Sequence, residues 1–390
     1  MLELDAGLEF NPDHDAEFFS LLPEQPAVCL IEPREGSAEP HLIRTANLRR
    51  RLQRLLGPLD PSSKRLNLRD FARQVRYRGT CSAFEQSFTY YRIARQFFPK
   101  RYKTLMRLRP SPVLKINLKN AYPRCYVTRH ISVNDQGSPA GGIYYGPFAS
   151  RKAAQTFADS VLDFFKVRRC QIKIRRDPDF PGCLYSEMKM CLGPCFGGCT
   201  KEDYDVEVNR LVEFLQTGGG SLRSAYERER EKASDDLDFE RAAAVHKKLE
   251  KLEDALRAGP EIARSVRDLN AVILQRMGEE QTIGMFGLRG GRLAEPFALR
   301  LGDTSQPRSA EETVRDYLES VMNAAPPAGN VRQLSTELGE HLRLVSRWFY
   351  SNPREGEIFL REKDWPYRRI LRACARLLAP PKAEGDAPKA

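Results

Sequence analysis

Five cysteines fall between positions 170 and 199 of a chain that elsewhere scatters its thiols: Cys170, Cys183, Cys191, Cys195 and Cys199, in the pattern C-x12-C-x7-C-x3-C-x3-C. Thiolates are soft metal ligands, and four of them turned inward by one loop suit zinc or an iron-sulfur cluster. Gly193, Pro194, Gly197 and Gly198 supply such a loop. The paired C-x2-C knuckles of a zinc ribbon are missing, so spacing alone leaves both metals open, with one of the five cysteines spare. Reduced, metal-free thiols are the plainer alternative. The other chemical concentration is basic. Between His41 and Arg109 the cations, Arg44, Arg49, Arg50, Arg51 and Arg54 prominent among them, far outnumber Asp60, Asp70 and Glu85. Guanidiniums in such density suit a phosphate backbone, so these five arginines are the candidate nucleic-acid contacts. Phe71, Tyr77, Phe84, Phe88, Tyr90, Tyr91, Phe97, Phe98 and Tyr102 are interleaved with them. Some of these rings could stack on bases; more of them suit a core.

The elements that must carry these residues are legible in part. Leu48, Leu52, Leu55 and Leu56 recur at helical spacing behind a capping Asn47 and before Gly57-Pro58, which turns the arginines between them outward. Leu114–Leu118 and Cys125–Thr128 read as strands, and residues 141–148 as a strand entering a turn. Ser150 can cap a helix through Ala153, Phe157, Val161, Phe164 and Phe165, whose basic tail delivers Cys170. From about Lys201 to Ala258 the chain reads as helix, with Gly218-Gly219-Gly220 separating a first helix from a hairpin of two more. After Gly259-Pro260 the pattern is mixed: a strand at Ala271–Leu274, then a hairpin turning at Gly290-Gly291.

Composition narrows the class. A chain of 390 residues with 41% hydrophobic content can bury the cores of two or three domains. Apolar runs fall short of the roughly 18 residues a membrane span needs, and the N-terminus is acidic rather than basic and apolar, so no membrane partner and a cytoplasmic setting are expected. In a reducing compartment, nine cysteines point away from structural disulfides. The net charge of +11 and pI near 9.2 favour a polyanionic partner.

Six stretches carry a resemblance. Arg168-Arg169-Cys170, Pro181–Tyr185 and Met190–Gly197 resemble the cysteine region of UvrC, the nuclease subunit of bacterial nucleotide excision repair. Tyr122–Arg129 and Tyr144–Phe148 resemble that family's adjoining strand and turn, and Leu237–Ala243 resembles the UVR motif, the helical hairpin through which UvrC binds UvrB. The resemblance implies an iron-sulfur cluster on Cys170, Cys183, Cys191 and Cys195, with Cys199 spare and zinc as the alternative. It also implies a UvrB-like helicase partner held through Leu237, Phe239, Glu240, Arg241, Ala242 and Ala243. Within the motif, Val245-His246-Lys247 departs from the family's usual Leu-Arg-Asp.

The expected architecture is α+β and multidomain: a degenerate GIY-YIG-like domain over 1–105, a cysteine-rich UvrC-type region over 106–200, a helical region with the UVR hairpin over 201–260, a mixed α/β region over 261–378 and a disordered tail over 379–390. Where the family's nuclease signature begins, Ala27–Leu30 and His41–Ile43 replace its glycines and tyrosines, and Tyr90 stands where a metal-binding glutamate belongs. A tyrosine keeps its proton to about pH 10 and is a poor ligand for a hard cation. The residual catalytic candidates are Arg51, on the family's catalytic arginine, His41 as a base, and Glu85 as a displaced carboxylate. An RNase H-like second nuclease is not expected within 261–378, where Glu311, Glu312 and Glu337 read as exposed helix faces. The expected function is a UvrC-like DNA-binding repair factor without its own incision activity. A single-incision endonuclease with a rearranged site is the alternative, and an iron-sulfur redox sensor that binds DNA a third.

Overall fold

The computed structural model describes residues 4–36, 38–58, 64–278, 281–302 and 308–379, so the expected tail, from 380 onward, lies outside the described residues. Three antiparallel sheets carry the architecture. The first is built from β1 (Ala6–Glu9), β2 (Ala27–Pro33), β3 (His41–Thr45) and β4 (Ala72–Gly79) in the order β1-β4-β2-β3, with α1 (Asp15–Leu21), α2 (Leu48–Leu56), α3 (Ala83–Phe97) and the single turn α4 (Tyr102–Leu105) around it. The run AVCLI of β2 shows no polar alternation because helices cover both faces. Ala27, Cys29 and Ile31 pack with Leu48 and Leu52 of α2, while Val28 and Leu30 pack with Phe84, Phe88 and Tyr91 of α3. Asn47 caps α2 as expected, its side chain accepting from the Arg50 N–H at 2.9 Å.

The second sheet comprises β5 (Val113–Ile116), β6 (Cys125–Thr128), β7 (Ile143–Gly146) and β8 (Arg264–Ser265), in the order β6-β5-β7-β8. Between β7 and β8 the chain runs through α5 (Arg151–Leu162), the short α6 (Leu184–Glu187), α7 (Lys201–Gln216) and the hairpin of α8 (Gly220–Asp235) and α9 (Phe239–Arg257). One core joins them: Leu114, Phe157, Tyr204 and Phe214 pack together with Leu222 of α8 and Leu252 of α9. The cysteine-bearing region and the base of the hairpin therefore share a single core across the expected boundary at 200.

The third sheet, β9 (Ala271–Arg276), β10 (Thr282–Arg289), β11 (Arg292–Leu293), β12 (Phe297–Arg300) and β13 (Glu357–Leu360), is covered by α10 (Ala310–Asn323) and α12 (Tyr367–Leu378) on one face. Against the other face lies α11 (Val331–Phe349), whose Leu334, Leu338, Leu342, Val345 and Trp348 are buried. They meet Phe84, Phe88 and Tyr91 of α3, so the first and third sheets sandwich α3 and α11 in a common core. Polar groups tie the same seam. The Tyr91 and Tyr102 hydroxyls each donate to Glu340 at 2.8 Å, and Arg95 donates to Glu337 at 3.0 Å. Glu337 is thus no exposed helix face: it is half-buried beside Arg95, which helps hold its carboxyl below the usual range. Glu311 and Glu312 do face water, with Glu312 completing the capping box at Ser309.

Candidate nucleic-acid interface and cysteine pocket

The register of the first sheet decides what its candidate residues can do together. Along β3, His41 and Ile43 share one face and Leu42 and Arg44 the other, because side chains alternate. Ile43 packs among the α1 and α2 residues and Leu42 among those of α3. His41 is therefore on the α2 side, where burial and the charge of Arg51 keep its pKa below the ordinary histidine value. Glu85 lies on the α3 side, 2% exposed, accepting from the Cys81 N–H at 3.0 Å and lying 4.0 Å from Arg78. The structure thus brings His41 and Arg51 together and separates them from Glu85 by the thickness of the sheet. Tyr90, where the resemblance expects a carboxylate, is 9% exposed beneath the Arg44 guanidinium at 5.8 Å, and burial raises its hydroxyl pKa.

Folding also sorts the cations. Arg49 donates to the carbonyls of Leu22 (2.8 Å) and Ser20 (3.2 Å) and to Glu24 (2.6 Å), pinning α2 to α1. Three of its five N–H donors are engaged in holding α2 to the segment around α1. Arg50, Arg51 and Arg54 make no ion pair among the described residues and line the outer side of α2. Arg44 points the opposite way and joins a group the sequence reading missed: burial, and then the charges of Arg343 and Arg44, lower the pKa of Arg347, and burial with the charge of Arg129 lowers that of Arg343. These charge interactions link Arg44, Arg347, Arg343 and Arg129 in a cationic track across the first sheet, α11 and the second sheet. No local signal could have found it, since its members come from three distant segments.

Cys170, Cys183, Cys191 and Cys195 line one cavity of about 170 Å³; Cys199 does not. Donors address the sulfurs: the Gly193 N–H lies 3.4 Å from Cys191 Sγ, and the buried Arg168 reaches Cys170 Sγ at 3.7 Å while holding the carbonyls of Tyr122 and Ile172. Hydrogen bonds onto sulfur are the supporting contacts a thiolate-held metal group uses. Gly193 sits at φ +69°, and a β-carbon there would lie 2.2 Å from the Phe196 ring, so the loop requires glycine. Burial, with the neighbouring Cys170, Cys183 and Cys195 adding to it, pushes Cys191 up to about 11. Among the described residues, however, no three His, Cys, Asp or Glu side chains are drawn together closely enough to hold an ion as they stand. The donor set and its hydrogen bonds fit a metal group; ligand-distance geometry is not formed.

The hairpin presents a different surface. Asp238 caps α9 by accepting from the Arg241 N–H at 3.0 Å, and Arg241 crosses to Glu229 of α8 at 3.4 Å. At its tip Leu237, with φ +55°, and Phe239 are 72% and 69% exposed. Glu240 and Ala243 also face water, and Ala242 is half-buried. Two large apolar side chains two residues apart are thus left in water at the tip.

Three sheets with a cysteine-lined pocket followed by a capped helical hairpin define a modular α+β protein. Residues 111–214 match the family model described as the UvrC/Cho excinuclease middle domain, and residues 221–255 the UvrB/uvrC motif. The chain belongs to the UvrC family. It is similar to UvrABC system protein C of Carboxydothermus hydrogenoformans, 30% identical over 70% of this chain and 43% of the relative. The same-named protein of Acetivibrio thermocellus is 25% identical over 63% of this chain and 40% of the relative, and that of Caldanaerobacter subterraneus 24% over 85% and 53%. The chain spans about half the length of the curated relatives it matches. No solved structure matches it. Among the described residues no helix is long and apolar enough to cross a membrane.

Proposed function

We propose that this chain is a DNA-binding factor of nucleotide excision repair that docks a UvrB-like helicase subunit through its hairpin tip and does not cut DNA at its degenerate GIY-YIG-like centre. The observation that carries the reading is the arrangement of that centre. Metal-assisted phosphodiester cleavage needs a base, a cation and a metal-binding carboxylate on one side of the scissile bond. Here His41 and Arg51 occupy one face, while Glu85 is engaged beneath the other. Arg50, Arg51 and Arg54 on one side and the Arg44–Arg129 track on the other supply phosphate-directed charge without that chemistry. A gel-shift assay with damaged duplex and UvrB-like subunit should show binding without nicking in magnesium or manganese; metal-dependent nicking would refute the reading.

His41 favours a second reading. A half-buried imidazole kept neutral beside Arg51 is competent to accept a proton, as a single-incision endonuclease with a rearranged site would require. Arg51→Ala decides between them. Loss of turnover with retained affinity supports the enzyme, and a modest loss of affinity with no turnover in either protein supports the binding factor.

Cys170, Cys183, Cys191 and Cys195 are proposed to hold an iron-sulfur cluster, with zinc as the alternative. When bound, that group supplies a cross-link among loop segments that have few apolar residues of their own. Arg168 and the Gly193 N–H then hold the sulfurs in place. Iron, zinc and visible absorbance at roughly 400 nm on protein purified without oxygen distinguish the two metals.

A further inference from the structure

We propose that the cavity beside the β10–β11 turn binds a phosphate group carried by a ligand of nucleotide size. Its volume is about 420 Å³, within the range that accommodates small ligands. Arg267, Arg289 and Arg292, from the segment before β9, the end of β10 and β11, line it together.

Three features distinguish this group from cations that happen to face water. First, each guanidinium is positioned by main-chain carbonyls: Arg267 donates to Pro139 at 3.1 Å, Arg289 to Ala324, and Arg292 to Gly137 at 3.1 Å and Leu334 at 2.7 Å. Carbonyls fix the direction of a guanidinium without cancelling its charge. Second, none of the three forms a salt bridge among the described residues, and the carboxylate on the lining, Glu337, is already paired with Arg95 at 3.0 Å. Third, the Arg292 Nη1 is sealed from water and has no acceptor. A buried donor left unpaired is costly, and one on a cation more so. Burial accordingly disfavours the charge on Arg292, with Glu337 countering only in part.

An anion with several acceptor oxygens answers the first two conditions, and its charge offsets the burial that disfavours the Arg292 cation. Phosphate does so best, because its oxygens match the fork of a guanidinium and can be shared among three of them. The lining also includes the apolar side chains of Val321, Met322 and Pro327, which provide a place for the sugar and base. This site is separate from the arginines of α2 and from the Arg44–Arg129 track, and it does not depend on the function proposed above. The phosphate could belong to a free nucleotide or to one unit of a strand.

Isothermal titration calorimetry on the full chain tests the proposal, with inorganic phosphate, AMP, ATP and a short single-stranded oligonucleotide as probes. At least one probe should bind. Arg267→Gln and Arg289→Gln, both at exposed side chains, should each weaken that binding on the order of tenfold, with the unfolding temperature unchanged. Arg292→Gln should weaken it further, and the two exposed variants keep the test valid if this one folds poorly. Displacement of the oligonucleotide by AMP identifies the free nucleotide as sufficient. Oligonucleotide binding that AMP does not displace, but that falls in Arg267→Gln and Arg289→Gln, identifies a strand phosphate. No binding of any probe by the wild-type chain, or equal binding by wild type and all three variants, overturns the proposal.

Discussion

Arg49 turns its guanidinium onto Ser20, Leu22 and Glu24, while Arg50, the next residue, faces water. The two should answer mutation differently. Arg49→Ala removes three hydrogen bonds between helices and should lower stability by about 1–3 kcal/mol, readable in denaturant melts. Arg50→Ala should leave the melt alone and weaken DNA binding, with a reduced salt dependence. Composition alone cannot separate them, because helical periodicity shows that both point away from the leucine stripe but not that the chain folds α1 back to meet one of them. The pH dependence of the fold also has a residue-scale origin. His341, buried, accepts from the Leu293 N–H at Nδ1 (3.1 Å), and burial with Arg292, Arg95 and Arg92 nearby lowers its pKa from 6.5 to about 4, against the opposing pull of Glu337. Between those values the unfolded chain binds the proton and the folded chain does not. Stability is therefore full above about 6.5 and falls as pH drops toward about 4, by on the order of 3 kcal/mol. Urea midpoints across that window measure it, and His341→Leu should flatten the slope.

At the scale of elements, the hairpin divides cleanly into a base that holds and a tip that reaches. Leu252 is fully buried in the second core, so Leu252→Ala should cost about 2–5 kcal/mol. Leu237→Ser with Phe239→Ser should shift the melting temperature little, because both side chains already sit in water, yet weaken capture of a UvrB-like subunit by tenfold or more. Size-exclusion chromatography with the partner, beside a thermal melt, checks both. Elements of this kind were legible because their signals are local. Asn47 before α2, Ser150 before α5 and the glycines before α8 all fall where the structure starts a helix. The Gly290-Gly291 turn likewise joins β10 to β11. The cysteine pocket was half legible: the spacing offered five cysteines and the resemblance named the four that line it, while the Arg168 side chain that reaches Cys170 could be found only once Tyr122 was known to stand beside it.

Across the whole molecule, the expected division into a first domain ending at 105 and a last beginning at 261 conceals the largest core. Phe84, Phe88 and Tyr91 of α3 pack with Leu338, Leu342 and Trp348 of α11, and Glu340 receives both tyrosine hydroxyls between them. Neither face announces its partner in sequence, because a helix stripe reports only that something apolar covers it. Glu340→Ala leaves two buried hydroxyls without their acceptor and should cost about 2–5 kcal/mol. The first and third sheets should then unfold together at the lower temperature, as hydrogen exchange in β2 and β9 can follow.

That seam also sets a clock. Tyr91 and Glu340 are 249 residues apart, and a ribosome adding roughly 5–20 residues each second needs on the order of ten to fifty seconds to travel between them. Throughout that interval the outer face of α3, with Phe88 and Tyr91, emerges before the helix that will cover it. A nascent chain in this condition is a natural client for a holding chaperone, and its yield in the cell should depend on how quickly translation reaches α11.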